Sequence, residues 1–304
     1  MKLIDVQKEF ATEDQCYEYL EAMRWPNGVR CPVCGNDKIS KFVSSSKKQQ
    51  TRRVYQCLEP TCKQQFTATA GTIFHDTHLP LNKWFMAIAL IVDAKKGMSA
   101  AQLQRHLGVA YRTAWYLAHR IREAMQDPNA PKLVGTVEID ETYIGGKQRG
   151  HKHQLKKKDC VLGIRERGGQ LRLMHVPNAR QDTVYDHIAA NVDKNVKRIV
   201  TDESRIYNFK LTQYHRVPHD KVNHIKGEYV RGDVYTNTIE SAFSLLKRGV
   251  IGTYHQLSIK HLQRYLNEFG YRFNRREIAT IFEDTVRNLT SGKNIQYKQL
   301  TAKA

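Results

Sequence analysis

Four cysteines set the tightest constraint on how this chain can fold. Two residues separate Cys31 from Cys34, four separate Cys57 from Cys62, and 22 lie between the pairs. Short cysteine pairs of this kind form two knuckles that offer four thiolates tetrahedrally to one zinc ion. Gly35 permits the tight turn of the first knuckle. Between the knuckles, 39–43 and 51–56 read as strands, and 65–69 adds a third, so residues 26–72 read as a zinc ribbon. Four thiolates leave no open coordination position, which makes this single zinc structural. Disulfides are the competing use of cysteine. The first ten residues lack an apolar signal core, so the expectation is a cytoplasmic chain with reduced thiols. Cys16 and Cys160 have no spaced partner and read as core thiols.

The formal net charge of +19 over 304 residues calls for a polyanionic partner, with DNA or RNA first. A membrane surface is the rival. The longest apolar run, 85–92, is too short to span a bilayer, and no segment reads as a basic amphipathic membrane helix. Residues 1–25 form a helical lead-in, opened by a Thr12-to-Gln15 capping box. Over 78–127, a helix with Trp84, Phe85, Ile88, Ile91 and Val92 on one face precedes a helix at 99–107. A glycine turn and a helix from about Ala110 to Met125 follow. Helix, short glycine turn, helix is the pattern of a DNA-binding helix-turn-helix. In that reading Tyr111, Arg112, Thr113 and Tyr116 enter the major groove. Arg112, Arg120 and Arg122 fit a solvated helix face equally well. The polar, basic loop 44–50 fits phosphate contact or a solvated turn.

The proline-bearing linker 127–131 is the best boundary, and a third unit runs over 132–288, with 289–304 left as a polar basic tail. Val137 and Ile139 alternate with Glu138 and Asp140, the pattern of a strand with one apolar face. A carboxylate in such a strand is costly unless it meets a counter-charge or a metal, so Asp140 is a candidate ligand for a hard divalent cation. A second strand, 197–202, ends in Asp202, and Glu240 sits in the first turns of a helix that begins near Thr236. Three carboxylates from two strands and a helix can converge at the end of a sheet. There they can hold two divalent metals, one activating a nucleophile and one stabilising a leaving oxygen.

The order Asp140, Asp202, Glu240, with 37 residues between the last two, resembles a DDE transposase. Lys247, two helical turns after Glu240, resembles the lysine many such enzymes carry on that helix. The upstream tyrosine and arginine of their pattern are replaced by Asp233 and Thr236. The finer resemblance is to the bacterial insertion-sequence branch with an N-terminal zinc ribbon. It rests on Asp140-Glu141-Thr142-Tyr143-Ile144-Gly145-Gly146, Thr236-Asn237-Thr238-Ile239-Glu240-Ser241 and Leu246-Lys247-Arg248-Gly249, and covers nearly the whole chain.

The resemblance implies a multidomain α/β protein: zinc ribbon, helix-turn-helix, and an RNase H-like catalytic core closed by a C-terminal helix from Ser258. The order strand, strand, strand, helix, strand over 136–202 fits that core. It further implies Mg²⁺ or Mn²⁺, two ions, held by Asp140, Asp202 and Glu240, with Lys247 at the DNA backbone. The partners are double-stranded DNA, as terminal inverted repeats and target, and further copies of the chain in the DNA complex. The setting is the cytoplasm, at the nucleoid. Lys147, Lys156, Lys157 and Lys158 lie in the densest basic stretch, well placed to hold substrate phosphates, and Arg112, Lys247 and Arg248 complete the expected DNA-binding residues. Glu138, Glu141 and Glu203 neighbour the three acids and compete with them on spacing alone. His224 fits a structural hydrogen bond or a part in catalysis. A structure-specific nuclease on the same fold, and a DNA-binding regulator without chemistry, are the rival functions.

Overall fold

A computed structural model describes residues 1–45, 51–145, 158–207, 217–223 and 227–302. The chain divides into two compact units. One comprises 1–93, 100–125 and 277–304; the other comprises 94–99 and 126–276.

In the first unit, helix α1 (Leu3–Glu9) and helix α2 (Glu13–Arg24) precede the ribbon. The Thr12 hydroxyl accepts from the Gln15 backbone N–H, which completes the expected capping box. The ribbon sheet has strands β1 (Ile39–Ser45), β2 (Thr51–Cys57) and β3 (Gln65–Phe66), in that order and antiparallel. The third strand stops at Phe66 instead of running to Thr69, because turns follow at Thr67–Ala70 and Thr69–Thr72. Helices α3 (Leu81–Asp93), α4 (Ala100–Leu107) and α5 (Tyr111–Ala124) fall where the periodicity puts them. Phe10, Phe85 and Phe282 pack ring against ring, at 4.8 Å for Phe10–Phe85 and 6.0 Å for Phe10–Phe282.

That last contact corrects the expected domain limits. The catalytic unit does not run to 288, and 289–304 is not an open tail. Helix α9 (Ile281–Ser291) and helix α10 (Tyr297–Thr301) belong to the N-terminal unit, with Phe282, Val286, Leu289 and Leu300 buried. Arg120 and Arg122 also depart from the solvated-face reading, since both are buried. Arg120 donates to the carbonyls of Ile73 and His75 and lies over the Trp84 ring.

The second unit is built on a five-stranded sheet: β4 (Thr136–Ile144), β5 (Asp159–Glu166), β6 (Leu171–Val176), β7 (Arg198–Asp202) and β8 (His219–Val222). The order is β6-β5-β4-β7-β8. The first three strands pair antiparallel, whereas β7 runs parallel to both β4 and β8. Helix α6 (Gln181–Asn191) makes the crossover from β6 to β7, with Val184 and Ile188 packed among Val137, Ile139, Leu162 and Ile164. On the other face, Ile144, Val161, Leu171 and Leu173 meet helix α7 (Asn237–Gly249) and helix α8 (Ile259–Asn274) through Ile239, Phe243, Leu262 and Leu266. Even-numbered residues of β4 therefore point toward α7 and odd ones toward α6. Asn274 is structural: its side chain accepts from and donates to the Leu171 backbone. A short hairpin, β9 (Val230–Arg231) and β10 (Val234–Tyr235), leads into α7.

Candidate active site

Among the described residues, two places hold the side chains expected to bind metal. The first is the ribbon. The sulfurs of Cys31 and Cys62 lie 3.7 Å apart, and those of Cys34 and Cys57 lie 3.5 Å apart. A tetrahedron with zinc–sulfur bonds of about 2.3 Å has edges of about 3.8 Å, so the four thiols already have the dimensions of a zinc shell. Among the described residues, these four are the group whose ligand atoms all lie within 4.8 Å of one another. Gly35 takes φ +74, the left-handed turn its knuckle needs.

The second place is the end of the five-stranded sheet. Strand β7 pairs with β4 so that Glu138 stands beside Val200. Asp202 closes β7, while Asp140 lies in the middle of β4, close enough to Asp202 and Glu240 that the charges of both act on its carboxyl. Glu240 opens helix α7, which packs across the face to which Asp140 points. A groove of about 470 Å³ is lined by Asp140, Glu141 and Thr142 from β4 and by Glu240, Ser244, Lys247 and Arg248 from α7. The three carboxylates do not crowd as closely as the thiols.

The polar surroundings sort the acids. Asp140 accepts from the Glu141 backbone N–H at 2.8 Å, and Asp202 from the Ser204 N–H at 3.0 Å. Glu240 accepts from the Thr236 hydroxyl at 3.0 Å. Burial, and then the charges of Glu141 and Asp202, push the Asp140 carboxyl up to about 7. A carboxylate so placed favours a proton or a cation. Burial likewise raises Glu141, whose carboxylate takes the Tyr207 hydroxyl at 2.6 Å. Glu138, on the same strand face as Asp140, is saturated. It is fully buried and accepts from Arg167, from the Thr238 hydroxyl and from the N–H groups of Thr238 and Ile239. Glu203 is exposed. Asp140, Asp202 and Glu240 are carboxylates, the hard oxygen donors that suit Mg²⁺ or Mn²⁺.

The Asp140 shift carries a stability prediction. In the apoprotein the native carboxyl keeps its proton up to about pH 7, whereas an unfolded aspartate loses it near about 3.9. Native protein thus binds the extra proton between those values, and stability falls as pH rises through that window. Asp140→Asn removes the loss. In chelator the variant should melt above the wild type at about pH 8, by on the order of 1–3 kcal/mol, and the gap should close toward pH 4. Melting curves across pH check this; a pH-independent gap contradicts it.

The remaining expected contacts divide. Lys247 and Arg248 are exposed on the groove wall. Lys158 is exposed at the foot of β5. Lys147, Lys156, Lys157 and His224 lie outside the described residues. Arg112 is in the other unit, exposed in the first turn of α5, with its guanidinium 4.2 Å above the Tyr297 ring. Sequence reasoning passed over Tyr207 and Arg167, and the only available signal was the paired acidic residues they serve.

Residues 132–274 match the family model described as the ISXO2-like transposase domain, and residues 11–65 match the transposase zinc-ribbon domain. An uncharacterized protein in transposable element ISH50 of Halobacterium salinarum is 29% identical over 280 residues, covering 87% of this chain and 92% of the relative. The simian T-cell lymphotropic virus intasome in complex with PP2A regulatory subunit B56 gamma aligns over 56% of this chain, at 15% identity and a TM-score of 0.29. The chain spans 63% of that structure's chain, less than two thirds of its length. No helix among the described residues is long and apolar enough to cross a membrane.

Proposed function

Because the chain belongs to the ISXO2-like transposase family and carries that family's zinc ribbon, we propose that it binds the ends of an insertion sequence, cuts DNA there and joins the freed end to a target. In support of this reading, β4 pairs parallel with the strand that ends in Asp202, the charges of Asp202 and Glu240 act on Asp140, and Asp140 and Glu240 line one groove. The strand order β6-β5-β4-β7-β8, with β7 and β8 parallel to β4, fits an RNase H-like core.

In this reading Asp140, Asp202 and Glu240 would hold two divalent ions. Such ions, when bound, activate the attacking oxygen and stabilise the leaving one. The chain's own residues do the positioning. Ser204 and Glu141 backbone N–H groups fix the two aspartates, and the Thr236 hydroxyl fixes Glu240. Lys247 and Arg248 hold the scissile strand's phosphates against the acidic groove, which would otherwise repel them. No covalent protein intermediate is needed, since phosphoryl transfer is governed by positioning and charge neutralisation.

Residues 1–127 supply the end recognition, with Arg112 on helix α5 entering the major groove, while Lys147 and Lys156–Lys158 beyond them grip phosphate. The working assembly is a homo-oligomer that brings two ends together. The deciding experiment is strand transfer by purified protein on its element's own ends with Mg²⁺ or Mn²⁺. Cleavage with joining supports the transposase; cleavage without joining marks a nuclease; binding alone marks a regulator. Affinity for the ends should fall steeply with salt as lysines and arginines displace counterions. Arg112→Ala should relax sequence preference, whereas alanines at Lys156, Lys157 and Lys158 should weaken binding to all DNA alike. A gel-shift series on specific and random duplexes reads both, and an Arg112→Ala protein with unchanged preference removes α5 as the recognition helix.

A further inference from the structure

Glu138 lies two residues before Asp140 on the same face of β4, yet its lone pairs are spent on protein. One carboxylate oxygen takes the Arg167 Nε–H at 2.7 Å. The other takes the Thr238 N–H at 2.9 Å, the Thr238 hydroxyl at 2.8 Å and the Ile239 N–H at 3.1 Å. Those two amides belong to the first turn of α7, where backbone N–H groups lack partners within the helix and the helix dipole favours an anion. Arg167 reaches onward to the Asp233 carbonyl at 2.7 Å and the Tyr235 carbonyl at 2.9 Å, and lies 3.8 Å over the Tyr235 ring. Its own N–H is bonded to the Thr136 carbonyl at the start of β4. One buried ion pair therefore ties β4 to the segment that delivers Glu240.

A second observation fixes how deep that helix sits. Gly163 is the β5 residue paired with Asp140. A Cβ there would stand 2.6 Å from Phe243 Cζ and 2.7 Å from Ile239 Cδ1. Helix α7 packs as low as it does because position 163 has no side chain. Its first turn is pinned by Glu138, and its second turn rests on bare backbone directly beside Asp140.

We propose that Glu138 and Arg167 are positioning residues that set the distance between Glu240 and Asp140, and so the spacing of the metal-binding carboxylates. The inference rests on the two-metal reading given above. It also explains why Glu138, in spite of its place on the catalytic strand, is not itself a ligand: every oxygen is taken. A carboxylate buried in this way costs several kcal/mol unless it is fully paired, and here it is paired to the groups that hold Glu240 in place.

The test uses the full chain. Glu138→Gln keeps the shape but turns an N–H toward Arg167 or toward the helix amides, so one side of the tie must open. We expect amide hydrogen exchange at 238–243 to speed up at least tenfold. The Mn²⁺ midpoint for cleavage should rise at least tenfold, while KM for DNA stays within about twofold. Gly163→Ala, which touches no charge, should lift α7 and reproduce the Mn²⁺ shift. Where Glu138→Gln fails to fold, Arg167→Lys, which keeps the charge and loses the fork, takes its place. A merely structural role would lower activity equally at every Mn²⁺ concentration. Exchange at 238–243 and a Mn²⁺ midpoint both unchanged in these variants overturn the proposal. Cleavage that is lost in Asp140→Asn but normal in Glu138→Gln removes the clamp and leaves the transposase standing. A wild type without metal-dependent cleavage removes the transposase reading, and the exchange rates at 238–243 then judge the clamp alone.

Discussion

Replacing Asp140 by Asn, Asp202 by Asn or Glu240 by Gln should abolish cleavage and strand transfer while DNA binding persists. Each change keeps the side-chain shape and removes one negative charge from the groove. The loss should reach roughly a thousandfold or more, since metal charge stabilisation is worth several kcal/mol at the transition state and about 1.4 kcal/mol is tenfold. Binding should survive because the proposed phosphate contacts are Lys247, Arg248 and the basic stretch, and a lost carboxylate lowers repulsion of the DNA backbone. Folding survives too, because in the apoprotein the raised Asp140 carboxyl opposes its acidic neighbours and gains nothing from its charge. Supercoiled-donor cleavage run beside a gel shift reads both properties. Glu203→Gln is the matched control, exposed one residue beyond Asp202. Glu141 is not one: it lines the groove and holds Tyr207. A variant at any of the three positions that cleaves like the wild type removes that residue from the site, and full activity in all three ends the DDE reading.

The parts of this molecule that obey a local rule are legible in the sequence. Cysteine spacing announces the ribbon because a knuckle closes over two to four residues. The strand that carries Asp140 shows itself by alternation, and α7 and α8 by helical period. What the chain does with distant partners is not written locally. Glu138 and Asp140 share one alternation, and nothing nearby says which is spent. The answer lies in Arg167 and in amides 100 residues away. Arg120 looks like surface charge on a helix until the carbonyls of Ile73 and His75 close over it. Residues 277–288 read as the end of the catalytic unit because amphipathic period fixes a helix and not its docking partner, which for Phe282 is the ring of Phe10. Gly163 gives no signal, since its importance is the close approach of Ile239 and Phe243 from elsewhere in the chain.

Removing a single zinc ligand, by Cys34→Ser or Cys62→Ser, should release the metal and unfold the ribbon while the five-stranded unit stays folded. The ribbon's own core is small: Tyr55 and Phe66 are buried with Cys31 and Cys57, and Trp25, Val29 and Ile39 pack against them only in part. So little apolar surface cannot offset the entropy of ordering the strands. The zinc–thiolate bonds, with an apparent folding contribution on the order of 10 kcal/mol, carry that burden. Loss of one thiolate leaves three ligands and an open position, and the remaining knuckle has nothing else to close it. The second unit has separate cores, one around Val137, Ile139 and Leu162 and one around Val161, Ile239 and Phe243, and none of these residues depends on the metal. Arg24 fastens helix α2 to the carbonyls of Thr67, Ala68 and Ala70 at the ribbon's edge, so that helix should loosen without melting, held on its other side by Leu20 in the helical core. The measurements are zinc content per chain and limited proteolysis. The expected result is about one zinc in the wild type from the closed four-ligand site, none in the variants, and new cleavages confined to 31–66. A wild type with no zinc, or a Cys34→Ser protein that retains both its metal and a protease-resistant ribbon, refutes the four-thiolate site.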